Sequence, residues 1–317
     1  MKKTVAVLGM GGTIAGRSSS AGNNIDYKAA ELGIKSLLQT IPINRHLEFD
    51  IYAEQVNQLD SKDMSLPALH QLAQRVNALI AKPDIKGIVI THGTDTLEET
   101  AFFLQKVCSP SKPVVLTCAM RPATAFAPDG PQNVLDALAV ACCDDVAGVF
   151  VVCAGRIHLA SFVQKIHTYR LDAFSSGEAG CCGFIEEGCV RFLSLPCALP
   201  VVPLESGAKK IVLSTSGVVW PRVEILMNFA GADGRIVDAL VAQGIEGIVV
   251  AGTGNGTIHH LLEASLLRAQ DRGVAIVVST RCAEGQVLPL QKRQFLDSAG
   301  LNPVKARIAL ILKLLDR

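Results

Sequence analysis

No apolar run in this chain approaches the roughly 18 to 20 residues needed to span a bilayer. No long run of like charges appears either, and the net charge is only +1. The first lack excludes a membrane-spanning helix. The second removes the electrostatic reason to expect DNA, RNA or an anionic membrane as a partner. Metal frameworks are missing as well: there is no C-x-x-C pair and no H-E-x-x-H, and the adjacent Cys142-Cys143 and Cys181-Cys182 lack ligand spacing. Low-complexity segments are absent, so the expected partner is a small molecule, held without a metal.

What the chain has is length and apolar content. At 317 residues, 49% hydrophobic and 19% charged, it can bury a large core, and its length suggests two domains. Ten cysteines are spread along it rather than concentrated in a short disulfide scaffold. The apolar stretch after Met1-Lys2-Lys3 is broken by glycine within a few residues, so it reads as a first strand rather than a signal-peptide core. Reduced thiols and a cytoplasmic location are expected.

Short β-branched runs alternate with longer segments of helical period, the pattern of parallel βαβ units. Strands are expected at Thr4 to Leu8, Gly87 to Ile90, Pro113 to Thr117, Gly148 to Cys153, Ile211 to Ser214, Gly247 to Ala251 and Ala275 to Ser279. Helices are expected at Leu66 to Ile80, Leu97 to Val107, Gln132 to Cys142, Ile258 to Asp271 and Pro303 to Leu315. Pro67 and Pro303 fall in first helical turns, where a missing N–H is tolerated. Pro196, Pro200 and Pro203 mark a linker over residues 189–208, between an N-terminal catalytic domain (1–188) and a C-terminal domain (209–317). The fold class is α/β, with mainly parallel sheets flanked by helices and the N-terminal domain the larger.

Two threonines stand in glycine-containing turns directly after buried-strand runs. Thr13 lies in Gly11-Gly12-Thr13-Ile14-Ala15-Gly16, and Thr94 in Thr91-His92-Gly93-Thr94-Asp95-Thr96. Strand exits of this kind are where ligands bind in open α/β sheets. The first turn also invites a dinucleotide reading, with Glu31 near the distance of a ribose-binding acid. The spacing argues against it: counted from Gly9 the third fingerprint glycine falls on Ile14, and counted from Gly11 the second falls on Thr13. Asp95 can serve as a cap for the helix from Leu97, with Glu98 and Glu99 in its first turn, and as a site carboxylate. His92 reads as a turn or core histidine rather than a base, and His259 and His260 as helix residues facing solvent or packing.

Together with Ala119-Met120-Arg121-Pro122, Asp129-Gly130-Pro131 with Asn133, and Gly252-Thr253-Gly254-Asn255-Gly256, the two turns resemble the bacterial-type L-asparaginase family over nearly the whole chain. The resemblance ends in Leu301-Asn302-Pro303 and Lys305-Ala306-Arg307. It implies cofactor-free hydrolysis of asparagine to aspartate and ammonia through a covalent acyl-enzyme, in a homotetramer with sites shared between subunits. It further implies that Thr13 is the nucleophile, Tyr27 the tyrosine of the loop covering it, and Thr94, Asp95 and Lys165 the second hydroxyl, its carboxylate and the lysine. Ser61 and Asp95 match residues that hold the substrate's α-carboxylate and α-amino groups. Asn255 matches one that reaches the neighbouring subunit's site.

A threonine hydroxyl is a poor nucleophile unless a nearby base takes its proton. A neighbouring carboxylate favours the charged form of a lysine, so relay through Thr94 or Tyr27 stays open. Backbone N–H groups of the glycine turns are candidates for stabilising the oxyanion. Lys62 departs from the family pattern: a cation there repels the substrate's amine unless it points away. The segment Cys282 to Gly300 is shorter than in many relatives, with Glu284 the candidate for a substrate-contacting acid. Alternative readings are a glutaminase-type activity and a tRNA-linked amidase, the latter disfavoured because the chain begins almost at its first strand. A dinucleotide-binding reductase is the alternative from another class.

Overall fold

Runs of β-branched residues that are apolar on both faces belong inside a parallel sheet covered by helices. The computed structural model, which describes residues 3–20, 22–43, 49–193, 206–288 and 294–316, places them there. Two compact units divide the chain. One comprises Met1–Pro203 and Val212–Ser214, the other Leu204–Ile211 and Thr215–Arg317.

In chain order the first unit holds β1 (Lys3–Gly11), β2 (Arg17–Ser18), β3 (Tyr27–Lys28), α1 (Ile34–Gln39), β4 (Phe49–Leu59), α2 (Leu66–Ile80), β5 (Ile85–Thr91) and α3 (Leu97–Cys108). It continues with β6 (Pro113–Thr117), α4 (Gly130–Ala141), β7 (Gly148–Cys153), β8 (Arg156–Leu159), β9 (Gln164–Lys165), β10 (Phe174–Ser175), β11 (Gly183–Glu186) and β12 (Cys189–Phe192). Eight of these strands form one sheet in the order β12-β11-β8-β7-β6-β5-β1-β4. The neighbours from β4 to β7 are parallel, while β8, β11 and β12 are added antiparallel.

The strand order locates the site. From β1 the chain moves to β4 on one side, then returns to β5 on the other. A topological switch point therefore lies between β1 and β5, and the crevice beyond their carboxyl ends is the expected ligand position. Both strands are rigidly held: Val5, Val7, Leu8, Ile88, Val89 and Ile90 are fully buried. Each such side chain contributes about 1.5–3 kcal/mol of burial free energy. Helix α2 shows why its bounds were readable. Ser65 accepts from the Ala68 N–H at its start, Pro67 fits the first turn, and Leu69, Leu72, Ala73, Val76 and Leu79 bury one stripe.

Helix α5 (Ser206–Ser214) straddles the division. The expected strand at Ile211 to Ser214 is therefore corrected to helix. Ala208 and Val212, four residues apart, are both fully buried, with Lys209 and Lys210 between them, so the segment buries a helical stripe. Of the expected linker, Cys189–Phe192 is strand β12, 206–208 begin α5, and 194–205 lie outside the described residues.

The second unit contains β13 (Val223–Met227), α6 (Arg235–Ala242), β14 (Gly247–Gly252), α7 (His260–Asp271), β15 (Ala275–Thr280), β16 (Leu296–Asp297) and α8 (Pro303–Leu314). Its four strands form a parallel sheet in sequence order. All nine described cysteines are free, and burial pushes the thiols of Cys142 and Cys182 up to about 12, which keeps them uncharged. Among the described residues no helix is long and apolar enough to cross a membrane.

Candidate active site

At the exit of β1 the backbone turns through Gly11 (φ 98°) and Gly12 (φ 82°). Positive φ at successive positions favours glycine, and space at Gly12 demands it. A Cβ there would run into the backbone of Gly93, and one on Gly93 would run into Ser61 Oγ. The two turns thus touch backbone to backbone, which brings Thr13 and Thr94 to the same crevice. Beyond Gly12 the chain makes one 3-10 turn, Thr13–Ala15, and passes into β2. No α-helix starts there to receive a pyrophosphate at its N-terminus, so the dinucleotide reading lacks its structural requirement.

Ile14, fully buried in the core of the first unit, anchors that turn, and Thr13 beside it is 7% exposed. Thr13 Oγ1 lies 2.7 Å from Tyr27 Oη. Tyr27 is delivered by the two-residue hairpin of β2 and β3, in which Ser18 pairs with Tyr27. A Cβ on Gly16 would stand 2.9 Å from the Tyr27 ring, so this glycine lets the ring lie against the turn. The hairpin is tied down by Ala123 N–H to Gly16 C=O at 3.0 Å and Ser18 N–H to Thr124 Oγ1 at 2.9 Å.

Thr94 has different company. Lys165 Nζ donates to Thr94 Oγ1 at 2.9 Å and to Asp95 Oδ1 at 2.6 Å. The Asp95 side chain is 51% exposed, so this ion pair is worth little to stability; its effect is to fix the ammonium on the hydroxyl. Lys165 comes from β9, paired antiparallel with β10 through Lys165 and Phe174. The carboxylate of Asp95 does not cap the following helix. Thr96 occupies the N-cap without a side-chain cap bond, which corrects the capping expectation: the carboxylate is drawn to the cation instead. Glu98 and Glu99 do lie in the first turn.

Ser61 Oγ accepts from the Asp95 N–H at 3.1 Å, while its carbonyl accepts from Thr96 Oγ1 at 2.8 Å. Lys62, one residue on, directs its ammonium to Asp60 at 2.6 Å and lies 3.9 Å from Asp63. Its hydrogen bond to Asp60 raises its pKa, with smaller contributions from the charges of Asp60, Asp63 and Asp95.

His92 is fully buried beneath the second turn. Its Nδ1 is 2.7 Å from the Gly93 carbonyl and its Nε2 is 3.0 Å from Thr100 Oγ1. A carbonyl can only accept, so Nδ1 carries the proton and Thr100 donates to Nε2. Burial depresses the His92 pKa to about 4, so the ring is neutral at pH 7. It holds the turn and does not face the crevice.

The remaining motif residues build the wall behind Thr13. Asp129 accepts from the N–H groups of Met120 (2.9 Å) and Arg121 (3.0 Å), and Asn133 bridges the Cys118 carbonyl (2.9 Å) and the Ala154 N–H (3.0 Å). A Cβ on Gly130 would sit 2.9 Å from Ile14 Cγ1, so α4 begins directly against the Thr13 turn. Asn255 and Glu284 belong to the second unit. Both are exposed, and Asn255 Oδ1 accepts from the Leu288 N–H at 2.7 Å. His259 N-caps α7, accepting from the Leu261 N–H at 3.3 Å.

The structure therefore brings together Thr13, Tyr27, Ser61, Thr94, Asp95 and Lys165 at one switch point. Sequence reasoning missed the supports: Thr96 and Thr100 under the second turn, and the His158–Ser176 pair behind β10. Among the described residues no three His, Cys, Asp or Glu side chains converge as metal ligands.

Two family models cover the chain: Asparaginase, N-terminal, over residues 4–196, and Glutaminase/Asparaginase C-terminal domain over residues 222–316. L-asparaginase 2 of Bacillus subtilis (strain 168) is 36% identical over 316 residues, covering 98% of this chain and 82% of that protein. Glutaminase-asparaginase of Pseudomonas fluorescens biotype A is 36% identical over 318 residues, covering 98% and 86% respectively. The crystal structure of a probable cytoplasmic L-asparaginase from Campylobacter jejuni superimposes with a TM-score of 0.90 at 36% identity, covering 100% of this chain and 96% of that one.

Proposed function

The chain belongs to the asparaginase family, and from that premise we propose that it is an L-asparaginase, hydrolysing L-asparagine to L-aspartate and ammonia through a threonine acyl-enzyme. The observation that carries the site assignment is the contact of Gly12 with Gly93, which sets a hydroxyl paired with a phenol beside a hydroxyl paired with an ammonium.

In this reading Thr13 Oγ1 attacks the side-chain carboxamide carbon. Its proton leaves through Tyr27 Oη, the group within hydrogen-bond reach, and the leaving amine takes up a proton and departs as ammonia. Peptide N–H groups of the two turns stabilise the tetrahedral oxyanion. Water then enters beside Thr94. Lys165 donates to one lone pair of Thr94 Oγ1, which leaves the hydroxyl to take up the water's proton as it passes its own toward the departing Thr13 oxygen, and Asp95 at 3.4 Å is too long an acceptor to hold that proton strongly. Attack of water on the ester releases aspartate and returns a proton to Thr13, so asparagine and water give aspartate and ammonia in balance. Asp95 and Ser61 hold the α-amino and α-carboxylate groups. With Lys62 turned to Asp60, its charge is partly neutralised where the substrate's amine is held.

The catalytic groups fall in the N-terminal domain, which includes β12 and so extends past residue 188. We place the enzyme in the cytoplasm as a homotetramer whose Asn255 reaches the neighbouring subunit's site. The described location of the Campylobacter jejuni protein supports the first part. Ammonia release from L-asparagine, L-glutamine and a simple amide tests the activity. Asparagine is expected to be the preferred substrate, and absence of release from it would overturn the reading. A mass increment on Thr13 after rapid acid quench tests the acyl-enzyme, and an increment found elsewhere would remove the nucleophile assignment.

A further inference from the structure

Lys165 is held on a short hairpin, and the hairpin's far strand ends on an unassigned buried pair. Strand β9 is only two residues long and is paired with β10 alone, Lys165 opposite Phe174 and Gln164 opposite Ser175. Ser176 follows immediately, and its Oγ lies 2.9 Å from Nδ1 of His158, with the two residues 6% and 2% exposed. His158 belongs to β8, inside the eight-stranded sheet, where it pairs with Val151 of β7. The hydrogen bond thus ties a small surface hairpin to the rigid sheet, at one residue's remove from the strand that faces Lys165.

The geometry points to His158 as a positioning residue for the reaction: through Ser176 it fixes the β9–β10 hairpin, and so the position of the Lys165 ammonium on Thr94 and Asp95. Apolar burial of Ala173 and Phe174 holds the hairpin down without direction. The Leu159 carbonyl, accepting from the Phe162 and Val163 N–H groups, ties the approach to β9 to β8, and the Ser176 bond ties the β10 end. A hydrogen bond between two buried polar groups defines a register, and losing one partner leaves the other unsatisfied. Displacements of about 1 Å in a positioned group cost up to about a hundredfold in rate. Burial and the charge of Arg156 depress the His158 pKa to about 4, so the ring serves here as a neutral hydrogen-bonding group.

This inference rests on the role given to Lys165 above, and the experiment separates the two. Steady-state asparagine hydrolysis is measured for the full-length enzyme and for Lys165→Met, Ser176→Ala, His158→Leu, His158→Asn and His158→Gln. Lys165→Met is expected to lose about a thousandfold in kcat. If it keeps near-native turnover, the reading of Lys165 fails whatever the histidine does. With Lys165 essential, Ser176→Ala and His158→Leu are expected to lower kcat about tenfold. His158→Asn, whose amide stands where Nδ1 stood, is expected to stay within about twofold of native, whereas His158→Gln, which reaches toward the position of Nε2, follows His158→Leu. In the Lys165→Met background Ser176→Ala is expected to cause no further loss, since both act on one group. The inference is overturned if Ser176→Ala keeps full kcat, if His158→Asn falls as far as His158→Leu, or if Ser176→Ala costs as much without Lys165 as with it. Should His158→Leu fail to fold, Ser176→Ala, which removes one oxygen, carries the test alone.

Discussion

The two strand exits at the switch point solve the same problem in different ways. At β1, Thr13 meets a phenol supplied by the hairpin of β2 and β3, whose connecting residues include Ile25 at 75% exposure. At β5, Thr94 meets a lysine paired with a carboxylate, over a fully buried histidine. The difference teaches a division of labour. The residue proposed to form the covalent bond has a partner from the exposed β2–β3 hairpin, whereas the residue proposed to manage protons has a lysine from the β9–β10 hairpin, which Ser176 and His158 tie to the sheet.

The sharpest break in this comparison is expected from the threonines. Thr13→Ala removes the proposed attacking atom and is expected to lower kcat about ten-thousandfold or more, while Thr94→Ala, which leaves Thr13 in place, is expected to lose about a thousandfold. Single-turnover kinetics sharpen it: Thr94→Ala should still form some acyl-enzyme, and Thr13→Ala none. Next in size, Tyr27→Phe is expected to lower kcat about a hundredfold with unchanged thermal stability, because the lost phenol oxygen belongs to the exposed hairpin.

Acid should distinguish the two sides as well. The folded-state pKa values of His92 and His158 are depressed from 6.5 to about 4, so between those pH values the unfolded chain binds more protons than the folded one. Stability from these groups is therefore full above about pH 6.5, and it falls as pH drops toward 4, by about 3 kcal/mol for each ring at most. Urea midpoints measured from pH 7 to 4.5 should decline through this window. Replacing His158 with asparagine should remove part of the slope, and an unchanged slope would assign it to other groups. The smallest effect is expected at Lys62. Already tied to Asp60, its change to alanine should alter KM for asparagine by no more than about twofold.

Much of the fold was legible because its central strands are apolar on both faces, and β1, β5, β6, β7, β14 and β15 stand out as β-branched runs. Strand β4 escaped notice: it is an edge strand carrying Asp50, Glu54, Gln55, Asn57 and Gln58, and its burial is partial along its length. Ile211 to Ser214 was misread because four residues are too few to separate a period of 2 from one of 3.6. In the site, the glycine turns announced themselves locally, but Tyr27 and Lys165 sit in two-residue strands with no periodicity to read, so only the family resemblance pointed to them. Nothing local marks His158 and Ser176 either, since eighteen positions separate them and the sheet alone joins them.

At the point where Gly12 meets Gly93, neither chain has a side chain to trim or enlarge. The spacing of the two threonine hydroxyls is thus a backbone dimension, as invariant under ordinary mutation as the pitch of the sheet itself. Selection for longer or bulkier amides would have to remodel the roof and rim of the cleft, because its floor offers no adjustable part.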